Sequence, residues 1–196
     1  MSIMQTYTGR AFDLAAPHPD DICLDDIAHH LANQCRYTGA TVGSWSIAQH
    51  SLLVAALLPA PLKFAGLLHD AHEAYTSDIA TPFKRLINRH GNNIVAITET
   101  MIDEAILKKW PHMKPEDDFG RDAIKVADRM ALKIEREYLL NPTTDEGLLA
   151  GWNEYLKGLP PIHPAEAAQF EEIRLYQYGG KHRFMVAFAD FYSLTH

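Results

Sequence analysis

Apolar residues recur along most of this chain at spacings of three and four, the pattern of helices that bury one face. Ile27, Ala28, Leu31, Ala32 and Cys35 form one such stripe, opened by Asp25 or Asp26 as a helix-start carboxylate. A run of small and polar residues, Thr38 to Ser44, reads as a loop. Ser46-Ile47-Ala48-Gln49 then fits a capping box, in which the Ser hydroxyl and the Gln side chain each satisfy a free backbone N–H. The helix it starts, through Leu58, is apolar on nearly every side, which places it at the centre of the molecule. Pro61 suits the first turn of a further helix running to about Tyr75.

Thr81-Pro82 marks another start, with Thr as cap and Pro at the first position. A longer amphipathic helix is predicted over roughly Asn93 to Trp110, with Ile94, Val95, Thr98, Met101, Ile102, Ala105 and Ile106 on its buried face. Pro111 to Asp118 is a polar loop. Ile124, Ala127, Met130, Ala131 and Ile134 mark a helix that ends before Asn141-Pro142, and another follows Pro164 with Ala168, Phe170, Ile173 and Tyr176 as core positions. The aromatic end, Phe184 to Leu194, fits either helix or strand. The chain reads as one all-α domain, a compact helical bundle with a core over about residues 20–140 and a C-terminal helical extension over about 141–196.

Composition narrows the function classes. Eighteen basic against 25 acidic side chains leave a formal charge of −7, the wrong sign for a protein that wraps a long nucleic acid. The most apolar stretch, Ser51 to Leu68, is cut by Pro59, Pro61 and Lys63, so no membrane span is expected. Two cysteines and an opening ten residues without an apolar leader point to a reducing compartment, the cytoplasm. Eleven histidines beside only two cysteines is the unusual feature.

The strongest local signal is Leu67-Leu68-His69-Asp70-Ala71-His72-Glu73-Ala74-Tyr75. On a helix His69 and Glu73 stand at i, i+4 and Asp70 and Glu73 at i, i+3, so the three can cluster. Burying them together beside apolar sequence is costly without a cation or a hydrogen-bond network. Imidazole with carboxylate suits a divalent transition metal: Mn, Fe, Co, Ni or Zn. His50, at the start of the apolar central helix, and Asp128, in Lys125-Val126-Ala127-Asp128-Arg129-Met130, are the natural further ligands. The set His50, His69-Asp70, Asp128 puts each group on its own predicted helix. His29-His30 lies beside the apolar face of the first helix and is expected to meet solvent or a neighbouring subunit.

In that order the residues resemble the H…HD…D motif of the HD-domain metal-dependent phosphohydrolases. The likeness extends to the branch that holds bacterial 5′-deoxynucleotidases and phage or prophage enzymes acting on deoxynucleotides such as dATP. Those carry an Arg ahead of the first His, matched by Arg36, and H-D-x-x-E followed by an Asp and a Thr-Pro turn. Here these read His69-Asp70-Ala71-His72-Glu73 and Asp78-Ile79-Ala80-Thr81-Pro82-Phe83-Lys84. Thr6-Tyr7-Thr8-Gly9-Arg10 and Asp26-Ile27-Ala28 are similar to the phage-type members, and the match spans about residues 5 to 140. The bacterial 5′-deoxynucleotidases have Trp after the Arg; this chain has Tyr37.

The resemblance implies an HD-domain bundle that hydrolyses phosphate from 2′-deoxynucleoside 5′-phosphates, dNMP or dNTP, by metal-activated water. The ion would sit on His50, His69, Asp70 and Asp128 and leave positions open for water and a phosphate oxygen. Glu73 is the candidate to position or deprotonate that water, and Asp78 to contact the leaving oxygen. Arg36 would grip phosphate through its planar fork, Lys84 would add a point charge, Pro82 lies at the turn beside it, and Tyr37 would stack on base or sugar. His72 is expected at the surface or behind the metal. The expected partner is a small nucleotide, and relatives of this kind self-associate, so a homo-oligomer is expected. The same motif also serves enzymes on cyclic or signalling nucleotides, and a non-catalytic module binding a nucleotide or protein.

Overall fold

Ser46 opens the helix around which the rest of the chain is assembled. Its hydroxyl accepts from the Gln49 backbone N–H at 3.2 Å, and the Gln49 side chain accepts from the Ser46 N–H at 2.9 Å, closing the capping box. The helix that follows, α2 (Ile47–Ala56), buries residues all round its circumference, from Ile47 and His50 to Leu53 and Ala55. The computed structural model describes residues 2–91, 93–115, 117–176 and 179–195. Within them α1 (Leu24–Asn33), α3 (Lys63–Leu67), α7 (Asp118–Leu139), α9 (Pro164–Arg174) and α10 (Gly180–Ser193) all pack on α2. The short α4 (Glu73–Thr76) lies against α1, and α5 (Thr81–His90) against α6 (Ile94–Lys109). The architecture is all-α, with one small sheet of two strands among the described residues.

α2 divides the apolar interior into two cores. On one side Ile47 and Ala48 meet Phe12, Ile27, Leu31, Phe64, Leu67 and Ile106. On the other Leu53 and Val54 meet Trp45, Met130, Ile134 and Phe170. A side chain at Gly66 would collide with Leu58 and lie 3.5 Å from the Ala55 Cα, so glycine lets α3 approach α2 closely. The aromatic tail is helical: Phe184 and Phe188, one turn apart on α10, enter the first core, with Phe188 5.2 Å from Phe64 and 5.1 Å from Trp110 between ring centroids. The second C-terminal contributor, α9, supplies Phe170 and Ile173 to the other core.

Several expected boundaries move. The helix expected from Pro61 to about Tyr75 is two, α3 and α4, separated by tight turns in which Ala71 N–H reaches Leu68 O at 3.1 Å and Glu73 N–H reaches Asp70 O at 3.0 Å. Thr81 is the first residue of α5 and not its cap, which is Ala80 with no side-chain bond. Ile94 and Ile97 at the start of α6 are exposed, so its buried face narrows to Ile102, Ala105 and Ile106. Cys35 falls outside α1. α8 (Glu146–Tyr155) buries no residue, which is why its sequence shows no stripe; Asp145 caps it by accepting from Leu148 N–H at 2.8 Å.

The hairpin β1 (Ile3–Gln5) and β2 (Ala11–Asp13) was not legible in the pattern, because only Phe12 of its strand residues is buried. It is clamped to α1 by side chains. Buried Asp26 accepts from Thr8 N–H at 2.7 Å and Thr8 Oγ1 at 3.0 Å. His30 accepts from Tyr7 N–H at Nε2, 3.0 Å, and donates from Nδ1 to Ala74 O at 2.7 Å. His29 stacks on Tyr7 with centroids 3.6 Å apart. The His29-His30 pair therefore fastens the amino-terminal hairpin within the chain. No helix of the described residues is long and apolar enough to cross a membrane.

Candidate metal centre

Three segments converge on one buried point. α2 delivers His50, wholly buried, from its first turn. The turns between α3 and α4 deliver His69 and Asp70, and the middle of α7 delivers Asp128. His50, His69 and Asp128 each bring one ligand atom within 4.8 Å of the others. Asp70 Oδ2 lies 3.0 Å from His69 Nε2 and 3.6 Å from His50 Nε2, and Asp128 Oδ1 lies 3.2 Å from His50 Nε2. All four residues singled out by the sequence thus meet.

Both imidazoles are aimed by their other nitrogen. His50 Nδ1 donates to Glu135 Oε1 at 2.6 Å, and His69 Nδ1 donates to the Gly66 carbonyl at 2.8 Å. That pattern presents Nε2 toward the cluster and is the usual one behind a metal-bound histidine. Both Nε2 atoms are buried without a well-aligned hydrogen bond and face the carboxylate oxygens of Asp70 and Asp128 at 3.0–3.2 Å, an arrangement that a cation between them would complete. Two imidazole nitrogens with two carboxylates are a donor set for a divalent transition ion. Asp70, His72 and Glu73 also bring one ligand atom each within 4.8 Å of one another.

Charge in this region is tightly balanced. Burial and Arg36 both oppose protonation of His50, but Glu135 and Asp128 outweigh them and push it up to about 9. Burial would raise the Asp70 carboxyl, yet His69, His50 and Arg36 hold it far below the ordinary range. Glu73 is pushed up to about 7, first by burial and then by the charges of Asp70 and Asp78. It is buried, and its Oε2 has no partner. Asp78 is half-buried just beyond Ser77, whose φ is 67°, and its charge acts on Glu73 and Arg36.

Glu135 was not singled out by the sequence, and it is the hub of the site. Wholly buried, it accepts from His50 Nδ1 and Trp45 Nε1 (2.9 Å) on one oxygen, and from Tyr37 Oη (2.8 Å) and Arg36 Nε (3.3 Å) on the other. Burial works against its charge, but Arg36 and His50 hold it down to about 2. The signal for it was present: it follows Asp128 by seven residues, two helical turns, on the same face of α7.

Arg36 reaches the site from a loop whose backbone pairs with the segment before α2, Arg36 N–H to Trp45 O at 2.9 Å. Its Nη1 is 3.9 Å from Asp70 Oδ2. Tyr37 and Thr38 both take left-handed backbone conformations, φ 54° and 52°, a strain of about 1–2 kcal/mol per residue that the Glu135 anchor helps hold. The Tyr37 hydroxyl is engaged by Glu135 and points inward. Lys84 Nζ lies 2.7 Å from Glu99 Oε1, while Pro82 is exposed at the start of α5. His72 is mostly buried, donating from Nδ1 to Asp103 at 3.0 Å with Nε2 3.9 Å from Glu99, so the surface position expected for it is corrected. Asp103 and Glu99 come from α6, whose sequence gave no sign of them. A cleft of about 520 Å³, lined in part by His69 and Asp128, opens from the cluster between α6 and α7.

Fold and site together define an all-α protein with a buried histidine–carboxylate cluster able to hold a metal ion. No family model matches the chain. It is 36% identical over 142 residues to the uncharacterized protein YfdR of Escherichia coli K12, covering 71% of this chain and 73% of that one. It is 35% identical over 142 residues to an uncharacterized protein of Rhodobacter capsulatus, covering 67% of this chain and 70% of the relative. The chain belongs to the same protein family as YfdR.

Proposed function

We infer that this chain is an HD-type metal-dependent phosphohydrolase acting on 2′-deoxynucleoside 5′-phosphates. The observation that carries the reading is the convergence of His50, His69, Asp70 and Asp128 from three segments, with two buried imidazole Nε2 atoms facing the carboxylate oxygens of Asp70 and Asp128. A divalent ion on these four residues supplies positive charge for a phosphoryl group and acidifies a water.

The chain's own groups do the rest. Glu73 accepts a proton from the attacking water; it is buried beside Asp70, with its Oε2 unoccupied by any hydrogen bond. The water oxygen bonds to phosphorus, the P–O bond to the leaving group breaks, and that oxygen takes up the proton. Arg36, fixed through Nε on Glu135, turns its outer guanidinium nitrogens toward Asp70 and a phosphate oxygen beside it. Burial of the cluster strengthens each of these interactions.

Phosphate release from dNMPs, NMPs, dNTPs and NTPs, with Mn²⁺, Co²⁺ or Zn²⁺ added, tests the reading. Turnover of deoxynucleotides that depends on the metal supports it. A metal-loaded protein that releases phosphate, pyrophosphate or triphosphate from none of them overturns it in favour of a binding module.

A further inference from the structure

The cleft beside the cluster is lined largely by apolar side chains, among them Leu107, Met113 and Ile124, with charged groups on two unlike walls. On α7, Arg121, Lys125 and Asp128 stand at i, i+4 and i+7 and share one face, and all three line the cleft. With a rise of about 1.5 Å per residue, Lys125 lies about 4.5 Å and Arg121 about 10.5 Å along the axis from the metal-ligating Asp128. Lys114, from the loop ahead of α7, lines the same cleft. The opposite wall, on α6, carries Asp103 and Glu104, of which Asp103 is taken by His72.

We propose that the α7 wall is a groove for the phosphate chain of a nucleoside triphosphate, leading away from the metal ligands over Lys125 to Arg121, with Lys114 closing on it. The proposal rests on the phosphohydrolase reading and names its substrate class: a nucleotide with several phosphates, where a monophosphate would leave these cations unused. Lys125 and Arg121 now pair with Asp122 and Asp118, their neighbours at i−3 on the exposed face. Exposed pairs of that kind contribute little, so a phosphate can replace them. Arginine suits the outer position, because its planar fork takes two phosphate oxygens at once. A volume of about 520 Å³ falls within the range of small-molecule sites.

The test is calorimetric titration of inorganic tripolyphosphate, with orthophosphate as comparison, in excess Mn²⁺ so that the probe is its Mn²⁺ complex. The proposal expects tripolyphosphate to bind at least about tenfold more tightly than orthophosphate, and Arg121→Ala/Lys125→Ala to lose that margin with two charge-assisted contacts. Arg174→Ala, which removes an exposed cation on α9 paired with Glu171, should leave the affinity unchanged. Equal affinity for the two anions, or an unaltered double variant, overturns the groove. The KM for a dNTP, where turnover occurs, should rise in the double variant. Tripolyphosphate binding that needs Arg121 and Lys125 in a protein that turns over no nucleotide would keep the groove and remove the hydrolase. Turnover with neither KM nor tripolyphosphate affinity altered would do the reverse.

Discussion

Replacing Glu135 by glutamine keeps the shape of the side chain and removes its charge. The carboxylate is wholly buried and accepts from four donors, two on each oxygen. A glutamine offers one carbonyl oxygen, so two of the four donors would face an NH₂ group. Each lost bond to a charged acceptor is worth about 1.5–3 kcal/mol, and stripping the partner from a buried ion pair costs about 3–5 kcal/mol. These overlap, since Arg36 counts in both, and the expected loss is about 3–5 kcal/mol out of a total stability of about 5–15 kcal/mol. Urea unfolding measures it, with Glu137→Gln, an exposed neighbour on α7, expected to stay within about 0.5 kcal/mol of the parent. Because His50 also loses the acceptor that aims its Nε2, metal affinity should fall by about 10–100-fold in the same variant. A Glu135→Gln protein less than about 1 kcal/mol weaker, with unchanged metal affinity, would refute the hub described above.

Three further outcomes follow from other parts of the molecule. Mn²⁺ or Zn²⁺ at about a hundred times its dissociation constant should stabilise the protein by about 2.7 kcal/mol, reversed by chelator and absent in Asp70→Ala; thermal unfolding with and without EDTA reads this. Asp26→Asn weakens the bonds to Thr8 N–H and Oγ1 and should cost about 1.5–3 kcal/mol, with faster amide exchange confined to the amino-terminal hairpin. Phe188→Ala removes a ring packed on Phe64 and Trp110 and should cost about 3–5 kcal/mol by urea titration; a loss below about 1 kcal/mol would mean that α10 is not part of the core.

The metal-ligating candidates were legible as an ordered set, His50, His69-Asp70 and Asp128, although the continuous helix expected to carry His69 and Asp70 is broken there by turns. His50 and Asp128 interrupt apolar faces, and a polar group on such a face needs a partner. The central helix was legible from Ser46 and Gln49, whose spacing has one local meaning. Less could be read where the answer depends on distant contacts. The break between α3 and α4 is not marked by glycine or proline, and Leu67 to Tyr75 suits a continuous helix locally. A glutamate near the end of a long helix ordinarily meets water, and the burial of Glu135 depends on Arg36, Tyr37 and Trp45, about a hundred residues earlier in the chain. At Tyr37 the ring is what stands out in the sequence, and the structure adds the hydroxyl bond to Glu135. The α6 acids Glu99 and Asp103 became visible only once α6 was placed beside His72.

The hub on α7 also has a consequence in time. Glu135 meets His50 across 85 residues, Trp45 across 90 and Arg36 across 99. Contacts so far apart in sequence close large loops and form slowly, after local helices have appeared. An ion that needs His50, Asp70 and Asp128 together would find no site until α7 has docked on α2. Bound metal should then leave the folding rate unchanged and slow unfolding by nearly its whole contribution to stability. In this protein the ion would act as a latch, closing a structure that the buried carboxylate has already drawn together.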